Sequence, residues 1–109
     1  HPMATLYEAA RVMRSKNAGP FLITIDIMCS DDGYYEKIKL EKHITPQVIS
    51  CLYHVAAENV EIHYFDRVRT VKVTLPRYLP SSGAPGDRDV YGAQQHGPLA
   101  ELEIGALHD

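Results

Sequence analysis

Alternation of apolar and polar residues is clearest over residues 21–28, FLITIDIM, where Phe21, Ile23, Ile25 and Ile27 fall on one face and Leu22, Thr24, Asp26 and Met28 on the other. A period of two in a run rich in β-branched side chains predicts a strand. The same pattern recurs in VEIHYFD (60–66) and RTVKVTL (69–75), separated by two or three residues around Arg67. This predicts a hairpin, although Asp66-Arg67 lacks the Asn-Gly type of turn signal. Pro76 and Pro80 end its second strand.

Between these strands the period lengthens. Asp31-Asp32-Gly33 offers helix caps, and Tyr34, Ile38 and, after a break near His43, Val48, Ile49 and Leu52 recur at helical spacing. Thr45 is suited to an N-cap and Pro46 to the first helical position, so 31–55 reads as a helical pair or one broken helix. The last apolar run, LAELEI (99–104), reads as a short closing strand with Leu99, Glu101 and Glu103 on one face. Residues 5–13, TLYEAARVM, fit either period: Leu6, Ala9, Ala10 and Met13 make a helical stripe, whereas Leu6, Glu8, Ala10 and Val12 line one face of a strand. Alanine and glutamate favour the helix. At least four strands with helices between the second and third predict an α+β fold on a mostly antiparallel sheet.

Composition narrows the function classes. The 109 residues are 45% hydrophobic and 23% charged, which suits one domain that hides roughly two-thirds of its unfolded surface. His1 and Pro2 ahead of Met3 are expected to be an appended remnant, which leaves a single domain over 3–109. A net charge of -3, a pI near 6.0 and scattered basic residues argue against a nucleic-acid surface. No apolar stretch approaches the roughly 18 residues a membrane span needs, so a soluble, cytoplasmic protein is expected. Cys29 and Cys51 each sit inside an apolar pattern and are expected in the core rather than in a disulfide.

Two segments carry more polar chemistry than a connection needs. Arg14-Ser15-Lys16-Asn17-Ala18-Gly19-Pro20 places two cations, a hydroxyl and an amide beside a glycine, a composition suited to a small anion. It equally reads as a solvated turn. Ser81 to Pro98, SSGAPGDRDVYGAQQHGP, gathers Asp87, Arg88, Asp89, Tyr91, Gln94, Gln95 and His96 among four glycines. A connection of that length is usually functional or disordered. Tyr91, Gln94 and Gln95 can orient a polar ligand, and His96 can exchange a proton near neutrality. The competing reading is a loop held by its own Asp to Arg contacts and docked on a partner. Asp87, Asp89 and His96 match no metal-ligand spacing, and neither a metal nor another cofactor is called for. His43, His54, His63 and His108 read as structural or solvated.

Taken together, LYEAARVMRSKNAGPF (6–21), ITIDIM, TLPRYLPSSGAPGDRDVYGAQQHGPL (74–99) and ELEI resemble a family of small proteins of unknown function that accompany, or are related to, the acyclic terpene utilisation (AtuA-like) proteins. The chain is similar to the C-terminal ferredoxin-like domain of AtuA-like proteins, where an early strand ends in an Arg-Ser-Gly-Asp-Lys-Gly type loop. Arg14, Ser15 and Lys16 match that loop in kind, and its Gly-Asp pair is missing. The resemblance implies a ferredoxin-like fold with Thr5 to Met13 as first strand, and a larger AtuA-like polypeptide as partner.

The function expected is that of a small subunit in a lyase of the hydratase type. It would act on a carboxylate, hydroxy acid or acyl-CoA thioester, with His96 and Tyr91 as catalytic groups. Arg14, Ser15, Lys16, Asn17, Gly19, Asp87, Arg88, Asp89, Gln94 and Gln95 would bind a small anionic substrate. The rival expectation is a non-catalytic docking module. Apolar surface left on so small a sheet also predicts a homo-oligomer or heteromer.

Overall fold

A computed structural model describes residues 5–76 and 97–104. The chain opens with a single helical turn, α1 (Leu6–Ala9), closed by a reciprocal capping box: Thr5 Oγ1 accepts from Glu8 N at 3.3 Å, and Glu8 Oε1 accepts from Thr5 N at 2.9 Å. It passes directly into β1 (Ala10–Asn17). Residues 5–13 therefore satisfy both periods in succession. Segment 14–17, expected as part of a loop, is the second half of an edge strand, and only Ala18 to Phe21 turn. That turn is closed by Ala18 N donating to Leu22 O at 2.8 Å, and Gly19 sits at φ 96°, where a side chain would be strained.

The expected central strand is β2 (Leu22–Cys29). The helical pair is α2 (Asp32–Leu40) and α3 (Pro46–Tyr53), capped by Asp31 and Thr45, whose side chains accept from Tyr34 N at 2.9 Å and Val48 N at 3.2 Å. The hairpin is β3 (Glu61–Phe65) and β4 (Thr70–Pro76), joined by a 3₁₀ turn over Asp66–Val68 with Arg69 left-handed at φ 50°. All neighbours in the sheet are antiparallel, in the order β1-β2-β4-β3. The α+β expectation holds, and the arrangement is compatible with a ferredoxin-like fold. Both long helices fall between β2 and β3.

The register sorts every strand residue onto one of two faces. Met13 and Ser15 share a face with Ile23, Ile25 and Ile27, with Val71, Val73 and Leu75, and with Ile62 and Tyr64. This face packs under Tyr35 and Ile38 of α2, Ile44 and Ile49, and it forms the core. The opposite face, with Arg14, Lys16, Asp26, Lys72 and His63, has no described helix over it.

Three expectations are corrected. Leu99 to Ile104 is not a strand: Gly97–Ala100 forms a helical turn, α4, followed by one isolated bridge between Thr5 and Glu103. Leu99 and Ile104, assigned to opposite faces by alternation, are both buried, because the turn brings them to the same core. Cys29 is buried as expected, but Cys51 is exposed on the outer side of α3, whose buried residue is Ile49. Phe21 precedes β2 in the turn and is 64% exposed instead of joining Ile23 and Ile25 inside.

Candidate functional site

Strand period decides what becomes of the first polar segment. Arg14 and Lys16 project from the face opposite the described helices and are exposed, whereas Ser15 lies on the helix-covered face and is half-buried. Asn17 and Gly19, at the strand end and in the turn, are exposed. The segment is thus split rather than gathered. Across the sheet, Arg14 is in register with Asp26, Asp26 with Lys72, and Lys72 with His63; the next row runs Lys16, Thr24, Thr74, Glu61. Among the described residues neither Arg14 nor Lys16 makes an ion pair. The Thr24 hydroxyl between Lys16 and Thr74 is enclosed and makes no hydrogen bond among the described residues. Exposed Phe21 and Leu22 flank this face at the turn, and Leu22 is in register with Pro76, the last residue of β4.

Tyr91, His96, Asp87, Arg88, Asp89, Gln94 and Gln95 lie outside the described residues, and so does the expected proximity of the two polar segments. Just after them, α4 is tied down: Tyr53 Oη accepts from Leu99 N at 3.3 Å, and Leu6 N donates to Leu102 O at 2.8 Å. Burial pushes the Tyr53 hydroxyl up to about 12, so it stays protonated.

A second cluster escaped the sequence reading. Tyr35 donates its hydroxyl to Asp66 Oδ1 at 2.5 Å, and Lys39 Nζ reaches the same oxygen at 2.8 Å. The Lys39 ammonium also lies 5.9 and 5.8 Å from the ring centroids of Tyr35 and Tyr64, which meet edge to face. Tyr64 donates to Ile44 O at 3.2 Å. The bond to Asp66 holds Lys39 charged, and the bonds from Lys39 and then Tyr35 hold Asp66 below the usual carboxylate range. Burial first, then the Asp66 bond, pushes Tyr35 up. None of the three exchanges a proton near neutrality, so the cluster positions a cation and pins the hairpin turn to α2. The available signal was Tyr35, Ile38 and Lys39 at helical spacing; its partner lies 31 residues away.

Hollows border the described scaffold. One, of about 370 Å³, lies between the α2–α3 connection and β3, with Lys39, Lys42, Thr45 and Tyr64 on its wall. Another, of about 400 Å³, is lined by Tyr7, Ala10, Arg11 and Met13 beside the edge strand β1. Among the described residues no three His, Cys, Asp or Glu side chains gather as a metal site, and no helix is long and apolar enough to cross a membrane.

The family model for a domain of unknown function, DUF4387, matches residues 6–103. The chain belongs to this family. The match takes in the whole described scaffold from α1 to Glu103 and both polar segments, so the DUF4387 unit is the sheet, its helical pair and the C-terminal return together. No curated protein and no solved structure matches this DUF4387 chain.

Proposed function

We propose that this chain is the small subunit of a two-component enzyme, and that its sheet face opposite the described helices docks, at Arg14 and Lys16, on a larger AtuA-like polypeptide. Arg14 and Lys16 would then become cations of a shared site for a carboxylate or acyl thioester. The observation that carries this reading is the pair itself: two exposed cations without ion pairs among the described residues, two positions apart on one face, beside exposed Phe21 and Leu22. Single exposed apolar residues are ordinary, but two beside a pair of exposed cations suit a partner surface. The resemblance of RSKNAGPF and GDRDVYGAQQH to proteins that accompany the AtuA-like family supports the partner.

Hydration or dehydration is the chemistry assigned. It needs an anion clamp and one proton carrier, the latter assigned to His96 with Tyr91 beside it. The exposed Phe21 and Leu22 beside that face suit equally a second reading, a docking module that lends no catalytic group. Co-expression with the neighbouring large polypeptide separates them. Arg14→Glu with Lys16→Glu is expected to abolish co-purification, while His96→Gln keeps the complex and lowers turnover on hydroxy acids by roughly 10²- to 10⁴-fold. An unchanged rate in an intact His96→Gln complex leaves docking alone. Retention of the partner by the double charge reversal would overturn the assignment of the face.

A further inference from the structure

The groove between the α2–α3 connection and β3 has no part in that reading, since β3 is the edge strand farthest from Arg14 and Lys16. Its wall is apolar along Ile44, Pro46, Ile62 and the Tyr64 ring, and its lining side chains include two lysines and the Thr45 hydroxyl but no carboxylate. Lys39 is held in place by Asp66 and the two tyrosine rings before any ligand arrives. Lys42 is exposed and makes no ion pair among the described residues. Its left-handed backbone, φ 56°, ends α2, where His43 N donates back to Ile38 O at 3.2 Å and fixes the lysine at the mouth of the connection. Thr45 Oγ1 accepts from Val48 N, which leaves its own hydroxyl proton to give. The neighbouring carboxylates are already engaged: Asp66 by Tyr35 and Lys39, Glu41 by Lys37 and His43.

A hollow of about 370 Å³ that joins an apolar wall to the Lys39, Lys42 and Thr45 side chains matches the make-up of a small-ligand site. We propose that this groove binds a small monocarboxylate with an apolar body. The carboxylate takes hydrogen bonds from Lys42 Nζ and the Thr45 hydroxyl, with Lys39 adding charge from behind, and the apolar body lies on Ile62 and the Tyr64 ring. Because Lys39 is already immobilised, ordering it adds no cost on binding.

Phenylacetate is a suitable probe, with phenylacetamide as its uncharged isostere. For a ligand of ten heavy atoms a Kd of about 1 mM is expected. Titration of the full chain, followed by ¹H–¹⁵N spectra, is expected to give saturable shifts at the amides of Lys42, Thr45, Ile62 and Tyr64. The amide should bind at least about tenfold more weakly, and Lys42→Gln should weaken phenylacetate about tenfold, the worth of a charge-assisted hydrogen bond at a partly wet site. Lys42 is outside the core, so the variant keeps the fold, which the same spectra verify. Arg14→Glu with Lys16→Glu is expected to leave phenylacetate binding unchanged, so failure of the docking proposal is read separately. Equal binding of acid and amide, an unaffected Lys42→Gln, or shifts centred on Arg14 would each overturn the assignment.

Discussion

Replacing Leu99 by alanine tests how the C-terminal segment is attached. The side chain is 0% exposed and sits in a helical turn packed against α1 and α3. Removing three buried carbons forfeits roughly 2.4 kcal/mol of transfer free energy at about 0.8 kcal/mol each. The residual cavity brings the total to about 3–4 kcal/mol, because Leu6 and Ile49 belong to helices fixed by their own caps and relax only in part. Against a total of about 5–15 kcal/mol for a domain, that is a large fraction. With a urea slope of about 2 kcal/mol/M, the unfolding midpoint should fall by about 1.5–2 M. Leu102→Ala is the control: Leu102 is only half-buried and should cost about 1 kcal/mol. Had residues 99–104 formed the alternating strand predicted from sequence, Leu102 would share a face with Ile104 and the two would cost alike. Urea unfolding of Leu99→Ala, Leu102→Ala and Ile104→Ala decides it, and a Leu102 variant as destabilised as Ile104→Ala would refute the helical-turn packing.

Other outcomes follow from single residues. Burial pushes the Cys29 thiol from 9.0 to about 11, with Asp31 adding to the rise and Arg69 opposing it, so at pH 8 iodoacetamide should modify exposed Cys51 in the native protein and Cys29 only on unfolding. Because the folded thiol holds its proton to higher pH than the unfolded one, this contribution to stability is intact below about pH 9 and is lost as pH rises towards 11; a stability constant across that window would count against the burial. Gly19→Ala should cost about 1–2 kcal/mol from backbone strain alone, since φ is 96° and no atom lies within 4 Å of the added carbon. An alanine carbon at Gly97 meets no atom of the described residues and φ there is not positive, so thermal unfolding should show Gly97→Ala neutral or slightly stabilised.

What the sequence disclosed was what local patterning controls. Asp31 and Thr45 announced α2 and α3 because an N-cap is satisfied within three residues. β2 and β4 were legible because Ile23, Ile25, Ile27, Val71, Val73 and Leu75 keep one face apolar without interruption. The second half of β1 was not, because Ser15 falls on the covered face where an apolar side chain would have marked the strand. Glycine and proline at 19 and 20 then drew the whole stretch into the turn. Cys51 was misplaced because α3 is half-covered, and a small residue inside an apolar helix carries no sign of which side it faces. The Tyr35–Asp66 bond and the groove beside Tyr64 depend on contacts between residues 20 to 31 positions apart, which no period records.

The division of β1 between two faces also fixes how the first polar segment can act. Side chains two apart lie on the same side of a strand, so a partner seated on the open face meets Arg14 and Lys16 together and cannot reach Ser15 through the sheet. Under the docking proposal, Arg14→Ala and Lys16→Ala should each weaken association with the large polypeptide. As exposed residues they should change stability by no more than about 0.5 kcal/mol. Ser15→Ala should do the reverse, leaving association unchanged and altering only stability, since its half-buried side chain faces Ile25 and the helices. Binding isotherms for the three variants on one preparation of partner, beside their urea midpoints, expose the parity directly. A Ser15→Ala variant that loses the partner as completely as Arg14→Ala would mean that the segment acts as a unit, and that the strand is pulled apart in the complex.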